Sequence, residues 1–321
     1  MTLAAERADT FHGIFDEVVA AMGRALLGKE RVVRLTLSCL LAEGHLLLED
    51  LPGTGKTMLA RALANVVEGS HARIQFTPDL LPTDVTGVTV YDQHRGTFEF
   101  HRGPIFHDIV LADEINRASP KTQSALLEVM EEGHVTVDGI THDVPSPFMV
   151  IATQNPIEQA GTYQLPEAQL DRFLMKTSVG HPDAEATEQL LLDAGVRDRA
   201  ALVHPLLTRA AVGELAAAAT QVYVDPALIG YIRRLAESSR EAEHVKLGLS
   251  ARGCLALIRV AKVWAASMGR TAVVPQDIAD LAHPVFCHRI LLDAHAQYSG
   301  VGVDEVIDRL LREVPPPRDR A

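Results

Sequence analysis

The chain has few cysteines, no long uncharged apolar run, and fewer basic than acidic side chains. Cysteine occurs three times in 321 residues, at Cys39, Cys254 and Cys287. An odd and widely spaced set excludes a disulfide framework and suits small buried hydrophobes in a reducing compartment. Hydrophobic residues make up 47% of the chain, yet no charge-free stretch reaches the roughly 18 residues that a spanning helix needs. The opening residues, MTLAAERADTFHGIFDE, place acids where a secretory leader needs an uninterrupted apolar segment. These absences predict a soluble cytoplasmic protein with no transmembrane segment. Lysine and arginine total 30 against 42 acids, a net charge of −12. That balance disfavours nonspecific wrapping of nucleic acid and makes proteins the default partners. A chain this long is expected to form two domains.

What is present centres on residues 45–67, HLLLEDLPGTGKTMLARALANVV. A short apolar run, a turn of Pro52, Gly53, Thr54 and Gly55, and a helical pattern carrying Met58, Leu59, Leu63, Val66 and Val67 predict strand, loop and helix. Glycines let consecutive N–H groups wrap a polyphosphate, and the helix N-terminus adds positive dipole. Lys56 brings a mobile charge to the outer phosphates, and Thr57 offers a hydroxyl to Mg²⁺. The first glycine of the general phosphate-loop pattern is replaced by Asp50.

A second half-site follows. Residues 107–114, HDIVLADE, read as a strand ending in two acids. There Asp113 can hold magnesium and Glu114 can orient and deprotonate a water attacking the γ-phosphate, or both acids can simply solvate a strand end. Residues 148–153 read as another apolar strand, and Asn155 just beyond it can hold a phosphate oxygen or the lytic water, although Asn-Pro alone is a turn signal. Residues 165–173 predict a short helix opening at Pro166 with Arg172 at its end. Arg172 suits a γ-phosphate on another subunit; the alternative is an ordinary salt bridge to Asp171 or Glu167.

Around these elements, residues 1–27 and a second segment reaching Glu43 read as helices, residues 73–77 as a strand, and residues 119–132 as a helix capped by Ser119. Residues 84–100 predict one β-hairpin around Gly96, and residues 134–145 another around Asp138-Gly139. The two hairpins are either contact surfaces or surface decoration. Residues 175–179 can form the last core strand, and 181–183 mark a boundary. Beyond it, amphipathic helices are predicted over 184–195, 212–220, 226–243, 250–268, 275–291 and 303–313. Arg252 falls in a first helical turn, where the dipole disfavours a cation, so it faces either an anion or a surface salt-bridge partner. His283, Cys287 and His288 share a helical stretch but lack a fourth metal partner at a familiar spacing.

The segments LLLEDLPGTGKTMLARALA, GPIFHDIVLADEINRASPKTQSALLEVMEEGHVT, IATQNPIEQAGTYQLPEAQLDRFLMK and GLSARG together resemble the MoxR family of AAA+ ATPases. The resemblance covers nearly the whole chain, and Asp50 is usual for that family. It implies an α/β P-loop NTPase core with a parallel five-stranded sheet over 1–182, carrying N-terminal helices and two hairpin insertions. An all-α lid follows over 183–314, and then a flexible tail over 315–321. It further implies an ATPase that binds ATP and Mg²⁺ at the interfaces of a ring, generally a hexamer. By motif, Lys56 and Thr57 match Walker A, with Pro52, Gly53, Thr54, Gly55 and Met58 completing the nucleotide-binding run. Asp113 and Glu114 match Walker B, Asn155 sensor 1, Arg172 the arginine finger and Arg252 sensor 2, with Arg117 a rival for the finger role. Thr57 and Asp113 are the implied magnesium ligands. A chaperone-like role toward a protein client follows, often beside a von Willebrand A domain partner. A DNA-translocating motor and a nucleotide-gated scaffold with little turnover are the alternatives, and the first predicts basic hairpin tips.

Overall fold

Short runs of aliphatic residues, buried on both faces, build the centre of the fold. The structure, a computed structural model, describes residues 3–51, 53–155, 163–196 and 198–317, with side chains from residue 8 onward except Gln297. Pro52 and tail residues 318–321 therefore lie outside the described residues. Five strands, β1 (Leu46–Glu49), β2 (His71–Gln75), β3 (Ile109–Asp113), β4 (Met149–Gln154) and β5 (Met175–Thr177), form one sheet in the order β2-β3-β4-β1-β5. The β1–β4, β2–β3 and β3–β4 pairings are parallel. Every residue of β3 is buried, as are the first five of β4, the uniform pattern of strands covered on both faces. Edge strand β2 exposes His71 and Gln75 and buries only Ile74.

The chain divides into two compact units, one of Glu17–Phe173 and Thr177–Gly213, the other of Met1–Asp16, Leu174–Lys176 and Glu214–Ala321. In the first unit, Leu47, Ile74, Phe76, Val110, Ala112, Leu126, Leu127, Val150 and Phe173 share one hydrophobic cluster. Sequence reading sets the division at 182/183, whereas packing groups residues 183–213 with the first unit. The reason is local. Arg61 pairs with Asp198 at 2.7 Å, Asn65 Nδ2 donates to the Ala200 carbonyl at 2.8 Å, and the N–H groups of Leu206 and Leu207 both reach the Val66 carbonyl. Residues near the N-terminus belong instead to the helical unit, where His12 Nδ1 lies 2.7 Å from the Ser267 carbonyl.

The helix Pro120–Glu132 starts as its sequence dictates. The Ser119 side chain accepts the Thr122 N–H, Pro120 occupies the first helical position, and Gly133 ends the helix at φ 69°. The first hairpin begins later than expected, with strands Gly87–Asp92 and Thr97–Arg102, because Pro82 starts a short helix over Pro82–Thr86. Its alternation does not mark burial, since Phe98 is 74% exposed and Val88 and Val90 are exposed too. The second hairpin pairs His134–Val137 with Ile140–Asp143. Asp138 and Gly139 both take positive φ, 51° and 79°, as a two-residue turn of the mirror-image type requires. Phe100 of the first hairpin stacks on His142 of the second, with ring centroids 4.2 Å apart.

The second unit is mainly helical. Helices Ala251–Ser267 and Pro275–Phe286 contribute the buried Leu257, Val260, Trp264, Ile278, Leu281 and Phe286. Arg270 and the buried Asp277 form a two-point ion pair at 2.7 and 2.6 Å. A two-stranded ribbon joins Val245–Leu247 to Leu291–Leu292, the helix expected to run to Leu291 stops at Phe286, and a further helix spans Ala294–Ser299. His283 turns both ring nitrogens to carboxylates, Asp304 at 3.1 Å and Asp308 at 2.9 Å. Burial pushes the Cys254 thiol up. Among the described residues no helix is long and apolar enough to cross a membrane.

Leu47 is fully buried in the interior strand β1, so Leu47→Ala should destabilise the first unit by about 2–5 kcal/mol. A thermal melt followed by circular dichroism checks this as a lowered midpoint.

Candidate active site

Parallel pairing in register sends β1, β3 and β4 out of the sheet at the same edge. Leu48 lies opposite Thr153 and Glu49 opposite Gln154, while Ala112 lies opposite Ala152. The loop after β1, the acids ending β3 and Asn155 after β4 therefore emerge within about two strand spacings, roughly 10 Å. That edge is where open parallel sheets place ligands.

The loop is built for backbone donors. Gly53 and Gly55 take φ values of 84° and 99°, a region that glycine enters without strain. Among the described residues, a Cβ added at Gly53 would meet nothing within 4 Å, and one at Gly55 only Leu26 at 3.8 Å. Gly55 caps the helix Lys56–Val66 without a side-chain acceptor, leaving the first-turn N–H groups of Lys56, Thr57 and Met58 without intrahelical partners. Lys56 Nζ folds back onto the Asp50 and Leu51 carbonyls at 3.1 and 2.9 Å, and the Thr54 hydroxyl donates to Leu51 at 3.3 Å. A concave donor set with one ammonium beside it fits a polyphosphate. Asp50 stands where the general pattern has glycine, and it is buried. Its carboxylate accepts the N–H groups of Val179 at 2.5 Å and Gly180 at 2.9 Å, tying the loop's entry to the turn beyond β5.

At the end of β3, two strands away from β1, the buried Asp113 accepts the Thr153 hydroxyl on Oδ1 at 2.7 Å and Arg73 Nε and Nη2 on Oδ2 at 3.2 and 2.5 Å. Glu114 adopts a left-handed backbone conformation, φ 56° and ψ 50°, which costs a non-glycine residue about 1–2 kcal/mol. Its N–H donates to the Thr153 hydroxyl at 2.8 Å. Glu114 Oε2 accepts Gln75 Nε2 at 2.8 Å and Arg117 Nη1 at 2.9 Å. An oxygen-only carboxylate at the loop's edge suits a hard divalent cation, so the donor set fits magnesium.

Asn155 is buried directly after β4; residues 156–162 lie outside the described residues. The short helix covers only Glu167–Leu170, with Pro166 as its cap, and Arg172 sits in the turn beyond it. Arg172 Nη2 pairs with Glu131 at 3.1 Å. Arg252 belongs to the helical unit, in the first turn of Ala251–Ser267, where the Ser250 hydroxyl oxygen accepts the Gly253 N–H at 3.1 Å.

The family described as "ATPase family associated with various cellular activities (AAA)" matches residues 45–175, and an AAA lid domain matches residues 237–310. The chain is 40% identical to Chaperone MoxR1 of Mycobacterium tuberculosis, over 95% of this chain and 83% of that one. It is also 33% identical to Protein MoxR of Paracoccus denitrificans, over 96% and 97%. The chain belongs to the MoxR family of AAA+ ATPases. The crystal structure of a candidate ATPase from Cytophaga hutchinsonii superimposes with a TM-score of 0.90 at 36% identity, covering 98% of both chains. An uncharacterised protein, YeaC of Bacillus subtilis, is 43% identical over 98% of each chain.

For this MoxR-family chain, sequence reasoning missed Arg73, Gln75 and Thr153. A signal existed for the first two: Arg73 and Gln75 are two apart on a strand and so share a face. Thr153 lay inside an apolar run and gave none.

Thr153→Val should leave the part-buried Glu114 N–H without its acceptor, at a cost of about 1 kcal/mol, whereas Thr153→Ser should melt close to the unaltered protein. Equal melting of the valine and serine variants would show that the hydroxyl bridge contributes nothing.

Proposed function

We propose that this chain is a Mg²⁺-dependent ATPase of the MoxR type, hydrolysing ATP at subunit interfaces of a ring to drive chaperone-like assembly or activation of a protein client. One observation carries the reading: the glycine loop and the paired acids leave β1 and β3, the two parallel strands flanking β4, at one edge of the sheet. The relative named Chaperone MoxR1 supports the client-directed part.

In this reading the backbone from Gly53 to Met58 donates to the phosphates, and Lys56 exchanges its loop carbonyls for phosphate oxygens. Pro52 completes the run, Thr57 and Asp113 hold the cation, and Glu114 takes a proton from the attacking water, which Asn155 orients. Bound magnesium would neutralise charge on the phosphate oxygens. Arg172 must leave Glu131 to face a neighbour's γ-phosphate, and Arg252 contributes from the lid. Arg117, held by Glu114, is the rival for the trans role. A hexameric ring, a von Willebrand A domain partner and a cytoplasmic setting belong to the same proposal. Arg95, the hairpin-tip cation, is paired with Asp92 and Glu99, which weighs against a nucleic-acid motor.

Lys56→Ala should abolish or severely weaken nucleotide binding, while Glu114→Gln should bind ATP and hydrolyse it slowly. Equal steady-state phosphate release by both variants and the unaltered protein would remove the mechanism. Arg172→Ala should retain binding and lose turnover in the assembled ring. When it is mixed with Glu114→Gln protein, activity that follows simple dilution would argue against catalysis in trans.

A further inference from the structure

Both oxygens of the Asp113 carboxylate already have partners, and the two partners differ in how readily they can leave. Oδ1 accepts the hydroxyl of Thr153, which is completely buried and also takes the Glu114 N–H. Oδ2 accepts two N–H groups of one guanidinium, Nε and Nη2 of Arg73. The Arg73 side chain is 51% exposed, against 11% for that of Asp113. It stands on the sheet's edge strand, with no neighbouring strand on its outer side. Thr153 cannot withdraw without unseating Glu114, whereas Arg73 can swing outward on its own stem.

A hard divalent cation takes a carboxylate oxygen through a lone pair, directly or through its bound water, and the two N–H groups of Arg73 on Oδ2 fill both lone-pair directions of that oxygen. An arginine fork and a divalent cation therefore compete for the same Oδ2. We propose that Arg73 is the resident counter-ion of Asp113, which a divalent cation must displace, so that Arg73 sets the cation concentration at which nucleotide is held. The inference rests on reading Asp113 as the cation-holding carboxylate. Arg73 is a positioning residue in this account, acting through Asp113.

The geometry also provides for the displaced guanidinium. Arg73 Nη2 donates to Gln75 Oε1 at 2.9 Å, on the same strand face, and the Gln75 amide donates onward to Glu114. Arg73 can yield Oδ2 and keep this second acceptor, so its charge is not stranded. Because the Arg73 end of the pair is half exposed, solvent screens it and the competition is modest.

The test is a magnesium titration of the full chain with a fluorescent ATP analogue, binding being read by anisotropy. Arg73→Met keeps the aliphatic stem and removes the charge. It should lower the half-saturating magnesium concentration about threefold to fivefold. Arg73→Lys keeps a cation and should titrate close to the unaltered protein. A purely structural role predicts the opposite sign, since damage to the site raises the magnesium requirement. Unchanged or raised half-saturation in Arg73→Met protein overturns the proposal. Should the methionine variant fail to fold, Arg73→Gln carries the same expectation and the same refutation. Nucleotide binding by the unaltered chain that ignores magnesium would overturn the functional reading together with this one. Magnesium-dependent binding that Arg73→Met leaves unshifted would overturn this inference alone.

Discussion

Parallel strand pairing in a fixed register is the constraint on which the site depends. It commits three chain segments, separated by tens of residues, to leave the sheet on the same side. A slip of one residue in β4 would turn Thr153 to the opposite face. Asp113 would then lose one of its partners and the Glu114 backbone its acceptor. The uniformly buried β3 and β4 resist such a slip, because a slip would displace packed side chains on both faces. The apolar core is in this sense what aligns the polar edge.

The polar edge is cross-braced in turn. Asp50 holds the turn after β5, Thr153 joins β4 to both acids, and Arg73 and Gln75 join β2 to the same pair. Each brace is a hydrogen bond between a strand end and its neighbour. Most involve a charged group, the stronger kind. Glu114 sits in an unfavourable left-handed conformation that these contacts compensate, as strained residues at functional sites commonly are.

Much of this was legible in the sequence, and the divisions are physical. The Gly53–Thr57 run, the helix capped by Ser119 and the Asp138-Gly139 turn depend on local chemistry, so a few residues suffice to specify them. The core strands are likewise visible as runs, though β2 spans His71–Gln75 rather than 73–77 and β5 closes at Thr177 rather than Val179. Partners across the fold are invisible locally. Nothing near Arg172 names Glu131, and nothing near Asp50 names Val179 and Gly180. The exposed face of the first hairpin defeats pattern reading for another reason: alternating apolar residues normally signal burial, yet Phe98 and Val90 face solvent. The ribbon in the helical unit escaped because two- and three-residue strands leave no periodicity to read.

The stacked rings of Phe100 and His142 bridge two ribbons that the sequence presents as separate insertions. Pulling one ribbon away from the other requires opening that aromatic contact, worth about 0.5–1.5 kcal/mol beyond its buried area. The second ribbon ends at Asp143, and after residues 144–148 the chain enters β4, which ends beside Asn155. The pair is a single lever with two arms, and Val88, Val90, Tyr91 and Phe98 on the first and Ile140 on the second are exposed apolar side chains.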